Sequence, residues 1–305
     1  MDCNQFIAEI LKKEGVEWIA CFPSNPLIEA VAQQGIRPIA FRHERGAVMA
    51  ADGFSRTSGR KRFGIVAVQS QAGAENALGG VAQAYADSVP ILLLPAGASR
   101  RRSSTDPVFN PTISYQSITK WAAQINFADR VPELMRRAYT SLRSGKPGPV
   151  LLEIPGDLHT EQIGEEDFDY EPPVALRTAG DPYAIDKAAQ ALLNARRPVI
   201  FAGQGVLYAD ATQELLEIAE YLQIPVMTTL EGKSAFPENH PLSLGIGGSS
   251  TTEAVHEFLN ASDLVFGIGA SFTKSNFTVP IPSGKTLIHA TNCDSDINKD
   301  YKSQH

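Results

Sequence analysis

Two α/β domains, each built on a doubly wound parallel sheet, are what this sequence predicts, and three observations carry the prediction. Short β-rich apolar runs alternate with helical-period runs along nearly the whole chain, the order that places parallel strands between two layers of helices. A stretch rich in Glu, Asp and Pro, from about Glu161 to Pro182, interrupts that alternation once. The length of 305 residues suits two domains of the usual ~100–200 residues.

Taken in order, Asp2 caps a first helix whose Phe6, Ile7, Ile10 and Leu11 share one face, and Gly15 stops it. A strand over Glu17–Phe22 leads to helix Pro26–Gln34, strand Pro38–Phe41, a helix from about His43 to Thr57, strand Phe63–Gln69, helix Ala74–Asp87 and strand Pro90–Pro95. Between Ala96 and about Ile118 the chain holds Arg100, Arg101 and Arg102 in a row and shows no clear period; structureless loops of that length are usually functional or disordered. A charge run of this kind reads as a solvated face or a subunit contact unless a substrate carboxylate or phosphate meets it. Helix Val131–Arg143 and strand Pro149–Ile154 complete a first domain placed at residues 1–165, with a linker at 166–182. The second domain, 183–305, reads as helix Pro182–Ala195, strand Pro198–Ala202, a Gly203-Gln204-Gly205 turn, helix Ala211–Leu222, strand Pro225–Thr229, helix Thr252–Asn260 and strands Leu264–Ile268 and Thr286–Ala290. A sheet of about six strands is expected there, with ligands sought at the turns after Ala202 and Ile268.

Charge and composition remove several classes. Twenty-seven Lys+Arg against 34 Asp+Glu leave a net charge of −7, so no global positive field gathers nucleic acid. Cys3, Cys21 and Cys293 are too few and scattered for a disulfide framework or a Cys-based zinc site, which suits a reducing compartment and small buried thiols. The longest apolar stretch, Val89 to Ala98, is about half of what a membrane helix needs, and the opening residues lack a basic-then-apolar leader. A cytoplasmic protein that binds no membrane is the expectation.

Common motifs fail on particular residues. Gly203-Gln204-Gly205 and Gly267-Ile268-Gly269 follow strands but lack the third glycine of a dinucleotide fingerprint. Gly232-Lys233-Ser234 and Gly284-Lys285-Thr286 resemble the end of a phosphate loop, yet Met227 and Val279 stand where its first glycine belongs. The six histidines form no HExxH arrangement, and no GxSxG elbow is present, so neither a zinc hydrolase nor a serine hydrolase is supported.

One constellation rises above this background. Glu44 stands at the junction between the strand ending at Phe41 and the next helix, whose Gly46, Ala47, Ala50 and Ala51 offer a close-packing face. By itself a first-turn Glu is ordinary, favoured by the helix dipole by about a few tenths of a kcal/mol. Its context is not. Arg42-His43-Glu44 through Gly59 is similar to the HEQGA…GYAR…G run of the thiamine diphosphate enzymes of the acetolactate synthase and 2-keto acid decarboxylase family. Gln69-Ser70-Gln71-Ala72-Gly73-Ala74-Glu75-Asn76 resembles that family's TSGPGATN loop, and Ala84-Tyr85-Ala86-Asp87-Ser88-Val89-Pro90 its AYxDSxP step. Gly145-Lys146-Pro147-Gly148-Pro149-Val150, running into Glu153-Ile154-Pro155-Gly156-Asp157, resembles its domain-ending GxPGPVxxxxPxD. The second domain matches the family's central domain more loosely, at Arg197-Pro198-Val199, Ala202-Gly203-Gln204-Gly205 and Gly267-Ile268-Gly269-Ala270.

The resemblance implies a pyrimidine-binding domain followed by a Rossmann-like central domain, and a lyase or carboligase acting on small 2-keto acids with thiamine diphosphate. It implies that Glu44 hydrogen-bonds N1′ of the aminopyrimidine, with Ala47, Val48 and the neighbouring strand as an apolar cradle. Ser70, Gly73 and Asn76 are the further cofactor-binding candidates, and Ser24, Asn25, Phe109 and Asn110 the substrate-side ones. The family pairs phenylalanine with glutamine where this chain has Phe109-Asn110, and has Gly-Pro where it has Gln71-Ala72. Mg²⁺ and the cofactor diphosphate belong to a third domain marked by GDG, for which these residues hold no counterpart and no metal ligands. FAD-binding members carry a GVRFDDR-like run; the arginine and aspartates are absent from Gly267 to Lys274, which argues against flavin. Because the family builds each site from two subunits, a homodimer, a homotetramer or a partner chain bearing the third domain is implied. The rival from a different class is a non-catalytic binding or scaffold subunit that pairs with a full-length chain or binds an adenine nucleotide at its central domain.

Overall fold

In the computed structural model, which describes residues 1–305 except 60, 104 and 165–167, Asp2 opens α1 (Cys3–Lys13) through a reciprocal capping box with Gln5, each bond 2.9 Å long. Gly15, at φ +76°, lets the chain leave the helix and enter β1 (Trp18–Cys21). Then follow α2 (Leu27–Gln33), β2 (Arg37–Ala40), α3 (Glu44–Thr57), β3 (Gly64–Val68), α4 (Ala72–Ala86) and β4 (Ile91–Gly97). The stretch that showed no period contains a 3₁₀ turn at Arg100–Arg102, the short α5 (Pro111–Ser114) and a second 3₁₀ turn at Gln116–Ile118. It leads into β5 (Trp121–Gln124), α6 (Val131–Arg143) and β6 (Val150–Pro155). β5 escaped the sequence reading because Trp-Ala-Ala-Gln is a poor strand former with no alternation; its place at the sheet edge makes it a strand.

The first sheet has six parallel strands in the order β2-β1-β3-β4-β6-β5. Its order reverses between β1 and β3, and at such a switch point the loops leaving the strand ends part and open a crevice. Apolar clusters cover both faces. Phe6, Leu11, Val31 and Leu142 of α1, α2 and α6 fill one, while Val48, Ala51, Val81 and Ala84 of α3 and α4, with Tyr115, fill the other. Arg56 of α3 bonds Asp52 and, at 2.7 Å, Asp87 just past α4. Thus the arginine of the first family-like run and the aspartate of the third meet as an ion pair that locks two helix ends together.

The acidic stretch expected to be a linker packs in part on this domain, since the first unit runs to Arg177 and the second begins at Thr178. Phe168 stands edge-on to Phe6 at 4.9 Å, and the Tyr170 hydroxyl donates to the buried Glu14 carboxylate, which also pairs with Arg143. Two aromatics supply the apolar area that the composition of the segment conceals. The expected boundary at residues 165 and 166 lies outside the described residues. Tyr170→Phe will destabilise the first unit by about 2 kcal/mol, the usual worth of a hydrogen bond to a charged group, readable as a shift in urea midpoint at constant m-value.

The second unit comprises α7 (Pro182–Asn194), β7 (Pro198–Ala202), α8 (Gly205–Tyr208), α9 (Thr212–Leu222), β8 (Val226–Thr228), β9 (Ser243–Ile246), α10 (Glu253–Ala261), β10 (Leu264–Ile268) and β11 (Thr286–Ala290). Its sheet has five parallel strands, not six, in the order β11-β10-β7-β8-β9. β9 was missed because Gly245, at φ +91°, interrupts a four-residue run. The two turns singled out as ligand sites pack on each other. Gly203 and Gly205 donate to Ile268 and Gly269 carbonyls, each at 2.9 Å, and Gly269 donates to Ala290 at 2.8 Å. A Cβ on Gly203 would lie 2.2 Å from the Gly269 oxygen. These glycines serve close backbone approach within the unit, and their amides are not free to hold a phosphate. Among the described residues no helix is long and apolar enough to cross a membrane.

Candidate active site

α3 starts where β2 ends, and His43 makes the start. Its backbone is extended and its Nδ1 accepts the Arg45 N–H at 3.1 Å, capping the helix. Glu44 becomes the first helical residue, and its side chain turns inward until the residue is only 2% exposed. Asn76, one turn into α4, donates its Nδ2 to Glu44 Oε2 at 3.2 Å. His43 Nδ1 comes within 4.0 Å of the same oxygen. It is already an acceptor there, so it meets the carboxyl with a lone pair and forms no salt bridge. Among the described residues no Lys or Arg pairs with Glu44. A buried carboxyl with one oxygen held by a neutral donor and the other uncommitted is an unusual object, because enclosed charges are normally paired.

The turn that delivers Asn76 is itself constrained. Gln71, the residue before α4, sits at φ 56°, ψ −112°, a region that side-chain-bearing residues rarely enter. Its side chain does not cap α4; Oε1 accepts the Phe109 N–H at 3.0 Å. Ser70 lies half-buried just before it, with its carbonyl accepting the Gly73 N–H at 3.4 Å. Gly73 is buried, and a Cβ there would approach Gln69 Cγ to 2.6 Å. Ser70, Gly73 and Asn76 therefore share one tight turn whose far end touches Glu44.

The substrate-side candidates divide. Ser24 is exposed at φ 79° in the loop after β1, beside the switch point. Asn25 is spent on the fold: its Nδ2 donates to Val68 O at 2.8 Å and Leu94 O at 3.0 Å, and its Oδ1 accepts Leu27 N at 3.0 Å. With both amide hydrogens on strand carbonyls it ties β3 to β4 and has no donor left for a substrate carboxylate. Phe109 packs half-buried against the α3/α4 cluster, whereas Asn110 caps α5 by accepting Ile113 N at 3.1 Å. Arg100 is also committed, to Asp157 at 2.8 Å, Glu161 at 2.6 Å and the Asn126 carbonyl at 2.8 Å; Arg101 and Arg102 are exposed.

One buried carboxyl went unread. Glu153 of β6 is 3% exposed, and its Oε2 accepts Thr112 Oγ1 at 3.1 Å and Gln124 Nε2 at 2.9 Å. Burial pushes its pKa up, against the two hydrogen bonds that lower it. A lone Glu inside Val-Leu-Leu-Glu-Ile, in a strand covered on both faces, was the available signal.

Comparison with known proteins gives two family matches. The model described as "Thiamine pyrophosphate enzyme, N-terminal TPP binding domain" matches residues 1–123, and "Thiamine pyrophosphate enzyme, central domain" matches residues 185–305. The chain is 36% identical over 277 residues to the probable acetolactate synthase large subunit of Methanocaldococcus jannaschii, covering 88% of this chain and 46% of that protein. It is 30% identical over 303 residues to the acetolactate synthase large subunit of Haemophilus influenzae, covering 93% and 51%. To the glyoxylate carboligase of Escherichia coli O157:H7 it is 34% identical over 292 residues, covering 92% and 49%. The chain thus spans about half the length of the curated relatives it matches.

Proposed function

Because the chain belongs to the thiamine pyrophosphate enzyme family, of which it carries the N-terminal TPP-binding and central domains, we propose that it forms the pyrimidine side of a thiamine diphosphate-dependent 2-keto acid decarboxylase or carboligase of the acetolactate synthase type. One observation carries the reading: Glu44 is buried, held through one oxygen by Asn76, and paired with no cation among the described residues. Such a group fits a weakly basic ring nitrogen, with which it can share a proton.

Thiamine diphosphate, bound with its aminopyrimidine at Glu44, would supply the carbon nucleophile and the electron sink that decarboxylation of a 2-keto acid needs. The residues of this chain do the rest. Glu44 Oε1 holds the proton at the ring nitrogen, and Asn76 keeps Oε2 occupied so that the other oxygen is the one presented. The strained Gln71 turn fixes where Asn76 stands. Ala47 and Val48, about one turn further along α3 and both fully buried, are the apolar neighbours we assign to the carboxyl. Phe109 and Ser24 border the substrate side. The diphosphate and Mg²⁺ would be held by residues outside these 305, on a diphosphate-binding domain of the complete protein or of a partner subunit, in a homodimer or larger assembly. The arginine and aspartates of the flavin-binding run are absent between Gly267 and Lys274, and on that ground we propose a flavin-free enzyme.

Calorimetry with thiamine diphosphate and Mg²⁺ on the complete protein tests the reading. We expect wild-type protein to bind and turn over a 2-keto acid, and Asn76→Ala to lower turnover about tenfold by freeing the Glu44 rotamer. Failure of the complete wild-type protein to bind the cofactor would overturn the proposal and favour a scaffold subunit.

A further inference from the structure

We infer that Glu153 is a positioning residue that clamps the Phe109 loop to the sheet; the inference rests on the function proposed above, in which Phe109 borders the substrate. Strand alternation puts Glu153 on the same face as Leu151, which belongs to the α3/α4 cluster, and so on the side where Glu44 and Phe109 lie. Its carboxyl lies across Gly97 at the end of β4: a Cβ there would stand 2.4 Å from Glu153 Oε1. Only a glycine in β4 leaves room for that arrangement. Oε2 then collects two donors from two directions, Gln124 of β5 and Thr112 of α5.

The loop between β4 and β5 is tied to the site at both ends of α5. Ahead of the helix, Phe109 N–H donates to Gln71. Past it, the buried Tyr115 donates its hydroxyl to Ala74 O. The first tie runs to the residue before α4 and the second to the first turn of α4. The Thr112–Glu153 bond is the tie to a strand, and it references loop and turn together to the rigid sheet. A buried carboxyl is costly unless its bonds matter, and what these bonds fix is α5, whose cap Asn110 directly follows Phe109. The role needs an acceptor oxygen, not a charge, so glutamine can fill it with the carbonyl toward Thr112 and Gln124.

Amide hydrogen exchange on the full chain tests the clamp without any cofactor. Thr112→Val is expected to speed exchange at Phe109 and Ile113 about tenfold, with amides of α3 and β3 unchanged. Glu153→Gln is expected to keep wild-type exchange, and Glu153→Leu, if it folds, to match Thr112→Val. In the complete enzyme, Thr112→Val is expected to raise KM for the 2-keto acid about tenfold with kcat within about twofold. Unchanged exchange at Phe109 in Thr112→Val, exchange raised evenly through the unit, or a fall in kcat at constant KM would each overturn the inference. A wild-type enzyme that turns over no 2-keto acid would remove the functional reading, while the exchange result still decides the clamp.

Discussion

Replacing Glu44 with glutamine is expected to lower 2-keto acid turnover by the complete enzyme by about 10²- to 10⁴-fold, the usual worth of a positioned acid–base group. The amide has the shape of the carboxyl, and its carbonyl can still accept from Asn76, so the α3–α4 contact survives and the protein folds. It cannot give or take a proton at the ring nitrogen. The loss should therefore fall on kcat, with the urea midpoint close to wild type. Glu44→Asp separates reach from chemistry: it keeps the proton-sharing group but shortens it by one methylene, and intermediate activity is expected. Steady-state kinetics on the three proteins checks this, and a glutamine variant within about tenfold of wild type would remove Glu44 from the reaction.

The second large effect is acid destabilisation through His159. The residue is 3% exposed, its Nδ1 bonds Asn4 Oδ1 at 2.7 Å, and its Nε2 is buried without a partner among the described residues. Since Asn4 Oδ1 can only accept, Nδ1 carries the hydrogen and Nε2 is a bare lone pair. Burial, partly opposed by Asp2 and Asp157, lowers the ring's pKa from 6.5 to about 4. Above 6.5 the ring is neutral in both the folded and the unfolded chain and contributes no slope. As pH falls from 6.5 toward 4 the unfolded chain binds a proton that the folded one refuses, so stability is lost, up to about 3 kcal/mol once both have titrated. His159→Gln keeps a donor toward Asn4 and removes the titration. Urea unfolding from pH 7 to pH 4 should show the wild type losing about 3 kcal/mol more than the variant across that window; parallel curves would refute the assignment.

Much of both units was legible because local forces made it so. The boundaries of α6, β7, β10 and β11 agree residue for residue with the runs read from the sequence, each a continuous apolar or strongly periodic segment closed by Pro, Gly or charge. Glu44 was legible for a related reason: a junction between a strand and a capped helix is defined within a few residues. Asn25 and Asn110 were not. Each is a turn residue whose side chain serves equally well toward a ligand or toward backbone, and for Asn25 the choice depends on the Leu94 carbonyl, 69 residues along the chain. Glu153 was hidden in the opposite way, inside an apolar strand where a charge makes sense only once Thr112 and Gln124 arrive from elsewhere.

What the amino-acid order determined alone, then, is most of the run of α/β elements and the placement of one glutamate at a strand–helix corner, since periodicity, caps and turns act over about one or two helical turns. Strand order decided the remainder. It set β2-β1-β3 side by side with the order reversing between β1 and β3, brought Asn76 onto Glu44, spent Asn25 and Arg100 on the fold, and drew Phe168 and Tyr170 out of an acidic stretch onto α1 and Glu14. Those contacts join residues far apart in sequence, and a side chain's partners there follow from where the sheet puts the backbone, which no local pattern encodes.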